Sequence, residues 1–155
     1  MAGISSSSVR IGVVAPGGRI TPELASRVTA FAAGLDLPRA VELRFHPQCF
    51  ASCGHFAGSD AERADALVSV ANDAELDAVW FARGGYGSFR LLESVLPRLS
   101  AAARTKTYLG YSDTGALLGA LYGAGIGRVA HGPMPSDLNR DSGDAALRRA
   151  LDFLA

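Results

Sequence analysis

Short apolar runs alternate with segments of helical spacing along this sequence, and this alternation constrains the fold more than any other feature. It repeats five times, and the candidate strands are residues 10–15, 40–45, 78–82, 107–110 and 128–130. Most of these runs are too uniformly apolar for a sheet with one face in water, so they predict buried parallel strands. The alternation therefore predicts an α/β fold.

The intervening segments carry helix signals. Thr21 and Pro22 predict an N-cap and a first helical residue, and Gly34 predicts the end of that helix. Ser59 and Glu62 form the pattern of a capping box for a second helix. Three later helices are predicted around residues 91–95, 116–121 and 144–154. The expected fold is a doubly wound, mostly parallel, flavodoxin-like sheet with helices on both faces.

Size and charge narrow the class of protein. The chain has 155 residues, 48% of them hydrophobic, which suffices for one core, so residues 10–155 are predicted to form one domain. Residues 1–9 lack an apolar run and are predicted to be a disordered lead-in rather than a secretory signal. Fifteen basic residues balance fifteen acidic ones, which argues against nucleic acid or an anionic membrane as a partner.

The two cysteines are too few to form a disulfide framework, which suits a protein of the reducing cytoplasm.

The informative residues lie in turns that follow the predicted strands. In a parallel sheet these turns meet along one edge, where open α/β folds bind their ligands. The turns are Ala15-Pro16-Gly17-Gly18, Arg83-Gly84-Gly85-Tyr86-Gly87, Gly110-Tyr111-Ser112-Asp113 and His131-Gly132-Pro133-Met134.

Ser112 is the candidate nucleophile with the most informative sequence pattern. It lies between a strand and a helix with Gly110 two positions before it, as in a nucleophile elbow, where a side chain at the glycine would collide with the returning helix. Thr114 stands where that motif has a second glycine, which makes the match less specific. A serine that caps a helix is the commoner use of such a residue. If the elbow is real, we expect Ser112 to have an unfavourable backbone conformation, with its hydroxyl at an open edge near Gly85.

The segment 83–87 is rich in glycine. Its exposed N–H groups could form an oxyanion or anion site, although a simple tight loop has the same composition. The sequence lacks a P-loop and a complete dinucleotide-binding motif, so a nucleotide site is the weaker interpretation.

The turns 83–87, 110–113 and 131–134, in this order and spacing, resemble those of the LD-carboxypeptidase family, and residues 10–16 resemble its opening strand. The segment from Gly54 to Arg63 is also similar to that family's loop before its second helix, and the resemblance covers nearly the whole chain from Arg10 onward. It implies a cytoplasmic serine peptidase that cleaves an L,D-amide bond. The typical product is the terminal D-Ala of a muropeptide in cell-wall recycling, and one branch of the family inactivates peptide-nucleotide antibiotics.

The resemblance also implies roles for individual residues. Ser112 matches the nucleophile, and the backbone N–H of Asp113 with one from Gly84 or Gly85 matches the oxyanion hole. Independently of the resemblance, Arg83 and Tyr86 are predicted to bind substrate, with Arg83 either holding a substrate carboxylate or capping the glycine-rich turn. Neither a cofactor nor a metal is implied.

The sequence departs from the family in one respect. Members complete a Ser-Glu-His triad with a glutamate and a histidine from a C-terminal domain, which this sequence lacks. Without a base, Ser112 would be a poor nucleophile at neutral pH. The chain is therefore expected to be a nucleophile-carrying half that is inactive alone and needs the C-terminal domain as its partner. A homodimer is left open.

Several residues outside these motifs allow other functional assignments. His131 ends at the same sheet edge and could stand in as a base for Ser112, although a hydrogen-bonded loop histidine is the commoner case. The cluster of His46, Cys49, Cys53 and His55 has the atoms for zinc but not a standard spacing. Trp80 is predicted to pack in the core. The alternative function is a non-catalytic flavodoxin-like module that binds a small anionic ligand or a protein partner.

Overall fold

The computed structural model describes residues 8–155, and the prediction of a disordered lead-in concerns mainly residues 1–7, which lie outside this range. Five strands form one sheet in the order β2-β1-β3-β4-β5, and every neighbouring pair is parallel. The strands are β1 (Val9–Val14), β2 (Val41–Phe45), β3 (Ala78–Phe81), β4 (Thr107–Gly110) and β5 (Arg128–His131). This is the flavodoxin-like order, so the predicted fold class is confirmed.

Helices cover both faces of the sheet. They are α1 (Pro22–Ala33), α2 (Asp60–Asn72), α3 (Leu92–Val95), α4 (Gly115–Gly123) and α5 (Gly143–Leu154). One apolar cluster joins α1 and α5 to the sheet, and a second joins α2, α3 and α4 to its other face. Trp80 is fully buried in the first cluster, as predicted, and its indole N–H donates to the Pro133 carbonyl at 2.7 Å.

The predicted helix signals act as expected in α1 and α2. The Thr21 hydroxyl accepts from the Leu24 N–H at 3.2 Å, and Gly34 follows the last residue of α1. Ser59 and Glu62 form both halves of the capping box at the start of α2. These signals are local, so the sequence contains all that is needed to place them.

The structure differs from the sequence prediction at several boundaries. β1 begins at Val9, one residue before the predicted start of the domain. Beyond the predicted helix at 91–95, a 3₁₀ turn, Leu96–Arg98, prolongs α3 and includes Pro97, because proline is tolerated in the first turn of a helical segment. α5 begins at Gly143, one residue before the predicted helix, and Ser142 ahead of it has a left-handed conformation and makes no side-chain cap. Within residues 8–155, no helix is long and apolar enough to cross a membrane.

Candidate active site

The candidate site lies at the carboxyl ends of the central strands. The chain leaves β1 towards β2 on one side and reaches β3 on the other, which opens a crevice between the turns that follow β1 and β3. These turns touch, because the Gly18 N–H donates to the Gly84 carbonyl at 2.9 Å. The turn after β4, which carries Ser112, packs beside them.

Ser112 adopts a left-handed backbone conformation. Its φ is 59°, and Ser142 is the other non-glycine residue with positive φ between residues 8 and 155. A side chain in this region costs about 1 to 3 kcal/mol, which the surrounding structure must offset. Ser112 is exposed, begins a 3₁₀ turn (Ser112–Thr114) that leads into α4, and its side chain does not cap that helix. The prediction of an unfavourable backbone at the end of β4 is confirmed.

Gly110 explains how the chain turns so sharply. A Cβ atom at this position would lie 2.6 Å from Thr114 Oγ1 and 2.7 Å from Phe81 Cδ2, so a side chain cannot fit. Thr114, which departs from the usual elbow motif, donates its hydroxyl to the Tyr111 carbonyl at 2.9 Å. The threonine therefore fills the space above Gly110 and ties the turn together.

Gly84 lies directly against the serine. A Cβ atom at Gly84 would be 3.1 Å from Ser112 Cβ and 3.2 Å from Ser112 Oγ, so a side chain here would displace the serine by a few tenths of an ångström. Gly85, the next residue, has a φ of 125° that suits glycine alone. Both glycines line a shallow pocket of about 190 Å³ together with Ser112. The hydroxyl is therefore near the glycine turn, as predicted, with Gly84 its closer neighbour.

Asp113 connects the turn that carries Ser112 to Ser88, which directly follows the glycine-rich turn 83–87. Its carboxylate accepts from the Ser88 N–H at 3.1 Å, and its carbonyl accepts from the Ser88 hydroxyl at 2.5 Å. Asp113 also follows Ser112 in the first turn of the helical segment, where backbone N–H groups lack helical partners. An N–H at this position can stabilise a negative oxygen bound beside Ser112.

Arg63 is a structural residue whose importance the sequence did not reveal. Its side chain is fully buried and donates from Nη1 to the carbonyls of Pro16, at 2.5 Å, and Gly87, at 3.1 Å. It also forms an ion pair with Asp60 and stacks on the Phe56 ring at 4.6 Å. Arg63 therefore holds the turns after β1 and β3 together, because it donates to one carbonyl in each of them. Its position in the first turn of α2 gives no signal of burial, since arginines are usually exposed.

Asp137 is a second residue that sequence reasoning missed. It is buried and accepts from the Tyr111 hydroxyl at 2.7 Å and from the Met134 N–H at 2.8 Å. Arg140 lies 3.2 Å from the same carboxylate. Burial and the bond to Asp137 both raise the pKa of Tyr111. This network holds Tyr111, the residue before Ser112, against the turn that follows β5.

Within residues 8–155, no hydrogen bond joins His131 to Ser112. The His131 ring meets Tyr111 edge-on, with 5.8 Å between ring centroids, and it lines a neighbouring pocket with Pro133 and Ala146. Ser112 lines a different pocket. Among residues 8–155, the structure therefore does not assemble a Ser112–His131 pair.

The two predicted substrate residues are both exposed on the glycine turn. Arg83 lines the Ser112 pocket, and its Nη1 also donates to the Arg19 carbonyl at 3.2 Å. It can therefore serve substrate and turn alike, and both interpretations stay open. Tyr86 is 80% exposed and lines a separate pocket with His55 and Arg19. Its assignment to substrate stays a prediction.

The residues considered for zinc are dispersed. Cys49 is buried and donates to the Val13 carbonyl, and burial raises the pKa of its thiol to about 12. His46 Nδ1 accepts from the Gln48 N–H, and burial lowers the pKa of His46. Cys53 and His55 are exposed. Over the described residues, no group of three or more His, Cys, Asp or Glu is placed to hold a metal ion.

We expect purified protein to contain no stoichiometric zinc. A thiol must lose its proton to bind the metal, and the raised pKa of Cys49 opposes that step. Inductively coupled plasma mass spectrometry of dialysed protein measures this directly. One equivalent of zinc that is lost on Cys49→Ala would contradict the expectation.

Comparison with known proteins places the chain in a family. Residues 11–132 match the model of the LD-carboxypeptidase N-terminal domain. A Synechocystis protein named as a carboxypeptidase is 34% identical over 147 residues, which are 94% of this chain and 46% of that protein. Murein tetrapeptide carboxypeptidase of Pseudomonas aeruginosa is 27% identical, over 83% of this chain and 40% of its own length. The chain thus spans less than half the length of these curated relatives.

Solved structures agree on the fold. An MccF-like protein from Bacillus anthracis superposes with a TM-score of 0.77 at 21% identity, over 96% of this chain and 45% of that one. Muramoyltetrapeptide carboxypeptidase from Oxalobacter formigenes gives a TM-score of 0.67 at 24% identity, over 82% and 40%. The family match covers most of this chain and includes the turns that carry Ser112 and Gly84. This chain therefore belongs to the LD-carboxypeptidase family and contains the N-terminal domain of that family.

Proposed function

We propose that this chain is the nucleophile-carrying half of a serine LD-carboxypeptidase that releases D-Ala from muropeptides. The observation that carries the proposal is the exposed Ser112, held at a φ of 59° against Gly84. A serine that merely caps a helix uses its side chain for that purpose and needs no such conformation. Backbone strain at an exposed hydroxyl is typical of a site that positions a reacting group.

In this mechanism, Ser112 Oγ attacks the carbonyl carbon of the L,D-amide bond. The developing oxyanion accepts hydrogen bonds from the Asp113 N–H and from an N–H of Gly84 or Gly85. A histidine, oriented by a glutamate, takes the serine proton and passes it to the D-Ala amine as the C–N bond breaks. Water then hydrolyses the acyl-enzyme. The histidine and glutamate are expected from the C-terminal domain of the family, outside these 155 residues.

Charge at the site suits a carboxypeptidase. The pocket that Ser112 lines contains Arg83 and Arg140 and no acidic residue. The carboxylate of a C-terminal residue lies only two atoms beyond the scissile nitrogen, so it must bind close to the nucleophile. Arg83 is the residue that we assign to this carboxylate, since a guanidinium can bind a carboxylate through two N–H groups. A role in recycling cell-wall peptides would place the protein in the cytoplasm.

The alternative is a flavodoxin-like module that binds an anion without catalysis. Mixing this chain with a purified C-terminal domain from a relative, and following D-Ala release from a muropeptide tetrapeptide, separates the two functions. The proposal expects release that depends on both parts and is lost in Ser112→Ala. If the mixture binds the peptide but never releases D-Ala, the non-catalytic function is favoured.

We expect Gly84→Ala to lower kcat in the reconstituted enzyme by about 10-fold, because a displacement of the nucleophile by 1 Å costs about 100-fold and the displacement here is smaller. The added methyl would lie 3.1 Å from Ser112 Cβ, so the serine must shift. Activity and thermal unfolding are measured on the same samples.

Gly119→Ala is the matched control. A Cβ at Gly119, on the exposed side of α4, meets nothing within 4 Å. This variant should retain activity and gain stability, since alanine favours a helix over glycine by about 1 kcal/mol. Equal activity in the Gly84 and Gly119 variants would show that the contact between Gly84 and Ser112 is not needed.

A further inference from the structure

One buried carboxylate, that of Asp137, bonds to two of the residues that line the pocket at Ser112. Its Oδ1 accepts from the hydroxyl of Tyr111, which directly precedes Ser112 in the chain, at 2.7 Å. Its Oδ2 accepts from the Met134 N–H at 2.8 Å, and both Tyr111 and Met134 line the pocket. A single side chain, only 7% exposed, therefore connects the turn that carries Ser112 to the turn that follows β5.

The segment that carries Asp137 is itself bonded to the centre of the sheet. The Pro133 carbonyl accepts from the indole N–H of Trp80, a fully buried residue of β3. The Ser136 N–H donates to the carbonyl of Ala82, directly after β3, at 3.1 Å. Asp137 therefore has a fixed position relative to the sheet, and a side chain bonded to its carboxylate is fixed as well.

The left-handed conformation of Ser112 needs contacts of this kind. A residue with a side chain keeps a φ of 59° only where the surrounding structure enforces it. On one side of Ser112, Asp113 is bonded to Ser88. On the other side, Tyr111 is bonded to Asp137, and a hydrogen bond to a carboxylate is stronger than one between neutral groups. The serine is thus held from both sides.

The geometry does not suit Asp137 for proton transfer. Asp137 is not among the residues that line the pocket at Ser112, and it lines the neighbouring pocket with His131 instead. The single proton of the Tyr111 hydroxyl is donated to Asp137, so it is not available to the serine. The contacts therefore favour a role in conformation over a role in the chemical step.

We propose that Asp137 is a positioning residue, which acts through Tyr111 to hold Ser112 in its left-handed conformation. This inference rests on the function proposed above, because the conformation of Ser112 affects the rate only if Ser112 is the nucleophile. Asp137 then acts without touching the substrate or the reacting atoms. Its loss should lower kcat and leave KM largely unchanged, since a displaced nucleophile slows the chemical step.

Tyr111→Phe is the most specific variant, because it deletes the hydroxyl and retains the ring that packs on His131. In the reconstituted enzyme we expect kcat for a muropeptide tetrapeptide to fall by about 10-fold, with KM unchanged. A displacement of the nucleophile by 1 Å costs about 100-fold, and the displacement here is smaller. Asp137 keeps its bond to Met134 and its ion pair with Arg140, so the variant should fold.

Tyr108→Phe is the matched control. Tyr108 is a fully buried residue of β4, and its hydroxyl donates to the Ala103 carbonyl at 2.8 Å. Ala103 precedes β4, so this bond lies at the opposite end of the strand from Ser112. Its loss should lower the midpoint of thermal unfolding and leave kcat unchanged. If Tyr108→Phe lowered kcat as much as Tyr111→Phe, the effect would follow from stability alone and the proposal would be overturned.

Asp137→Ala shows whether the carboxylate acts through the tyrosine. Alone, it should lower kcat at least as much as Tyr111→Phe. In the Tyr111→Phe background the same substitution should lower kcat by a smaller factor, because two residues that act through one another are not additive. Fully additive losses would overturn the proposal. The comparison of the two tyrosine variants decides the question even if Asp137→Ala does not fold.

The conformation of Ser112 is measured independently of catalysis, by NMR of the 155-residue chain. The three-bond coupling between the amide and α protons of Ser112 depends on φ. It should indicate the left-handed conformation in the unsubstituted chain and in Tyr108→Phe, and an average over several conformations in Tyr111→Phe. An unchanged coupling in Tyr111→Phe would overturn the proposal, whatever the effect on kcat.

The two measurements separate this proposal from the function on which it rests. If the unsubstituted reconstituted enzyme releases no D-Ala while the coupling changes in Tyr111→Phe, the proposed catalysis fails and the effect of Asp137 on the conformation of Ser112 stands. If D-Ala is released and Tyr111→Phe leaves kcat unchanged, the positioning role alone fails.

Discussion

The 155-residue chain alone is expected to release no D-Ala from a muropeptide tetrapeptide above a Ser112→Ala blank. The reason is that His131 is packed against Tyr111 and no other described residue is placed to take the serine proton. Loss of the base from a serine protease triad removes about a millionfold from kcat. Oxyanion donors in an open pocket do not compensate for the missing base, because solvent water screens their charge. Mass spectrometry of D-Ala over a day of incubation measures the result.

The blank defines what counts as activity. Ser112→Ala removes the hydroxyl but keeps the exposed turn, so any release that it shows comes from contamination or from spontaneous hydrolysis. Release well above this blank by the unmodified chain would contradict the expectation. A His131→Ala variant would then show whether a local histidine acts as the base after all.

Arg63→Ala is expected to lower the free energy of unfolding by about 3 to 5 kcal/mol, through a cavity and a buried acceptor left without its donor. The Pro16 carbonyl loses its bond to the fully buried guanidinium, whereas the Gly87 carbonyl still accepts from the Arg90 N–H at 3.3 Å. Asp60 retains an ion pair with Arg90, so it is not left as an isolated charge. Urea unfolding followed by circular dichroism gives the difference.

Arg98→Ala is the matched control for this loss. Arg98 forms an ion pair with Asp65, and both side chains are largely exposed, 45% and 67%. Removing an exposed pair changes stability by about 1 kcal/mol or less. If Arg63→Ala proved as mild as Arg98→Ala, the bonds from Arg63 to the turns after β1 and β3 would not be needed for folding.

The sequence by itself determined the order of the elements. Continuous apolar runs predict buried strands, and the caps at Thr21 and Ser59 predict where α1 and α2 begin, because these signals act between residues a few positions apart. It also pointed to Ser112, because Gly110 and the adjoining strand and helix lie next to it in the chain. The strained backbone at Ser112 was predicted for the same reason and is observed at a φ of 59°.

Contacts between distant parts of the chain were decided only by the tertiary structure. Arg63 reaches Pro16 and Gly87, which are 47 and 24 residues away, and nothing in its own neighbourhood in the sequence reveals this. The edge-on packing of His131 on Tyr111 is likewise a contact between two different turns. A pocket beside the Ser112 turn also brings together Arg19, Arg83 and Arg140 from three separate loops. Periodicity and capping are encoded locally, whereas burial of a charge and convergence of loops depend on the sheet order, which brings the ends of β1 and β3 side by side.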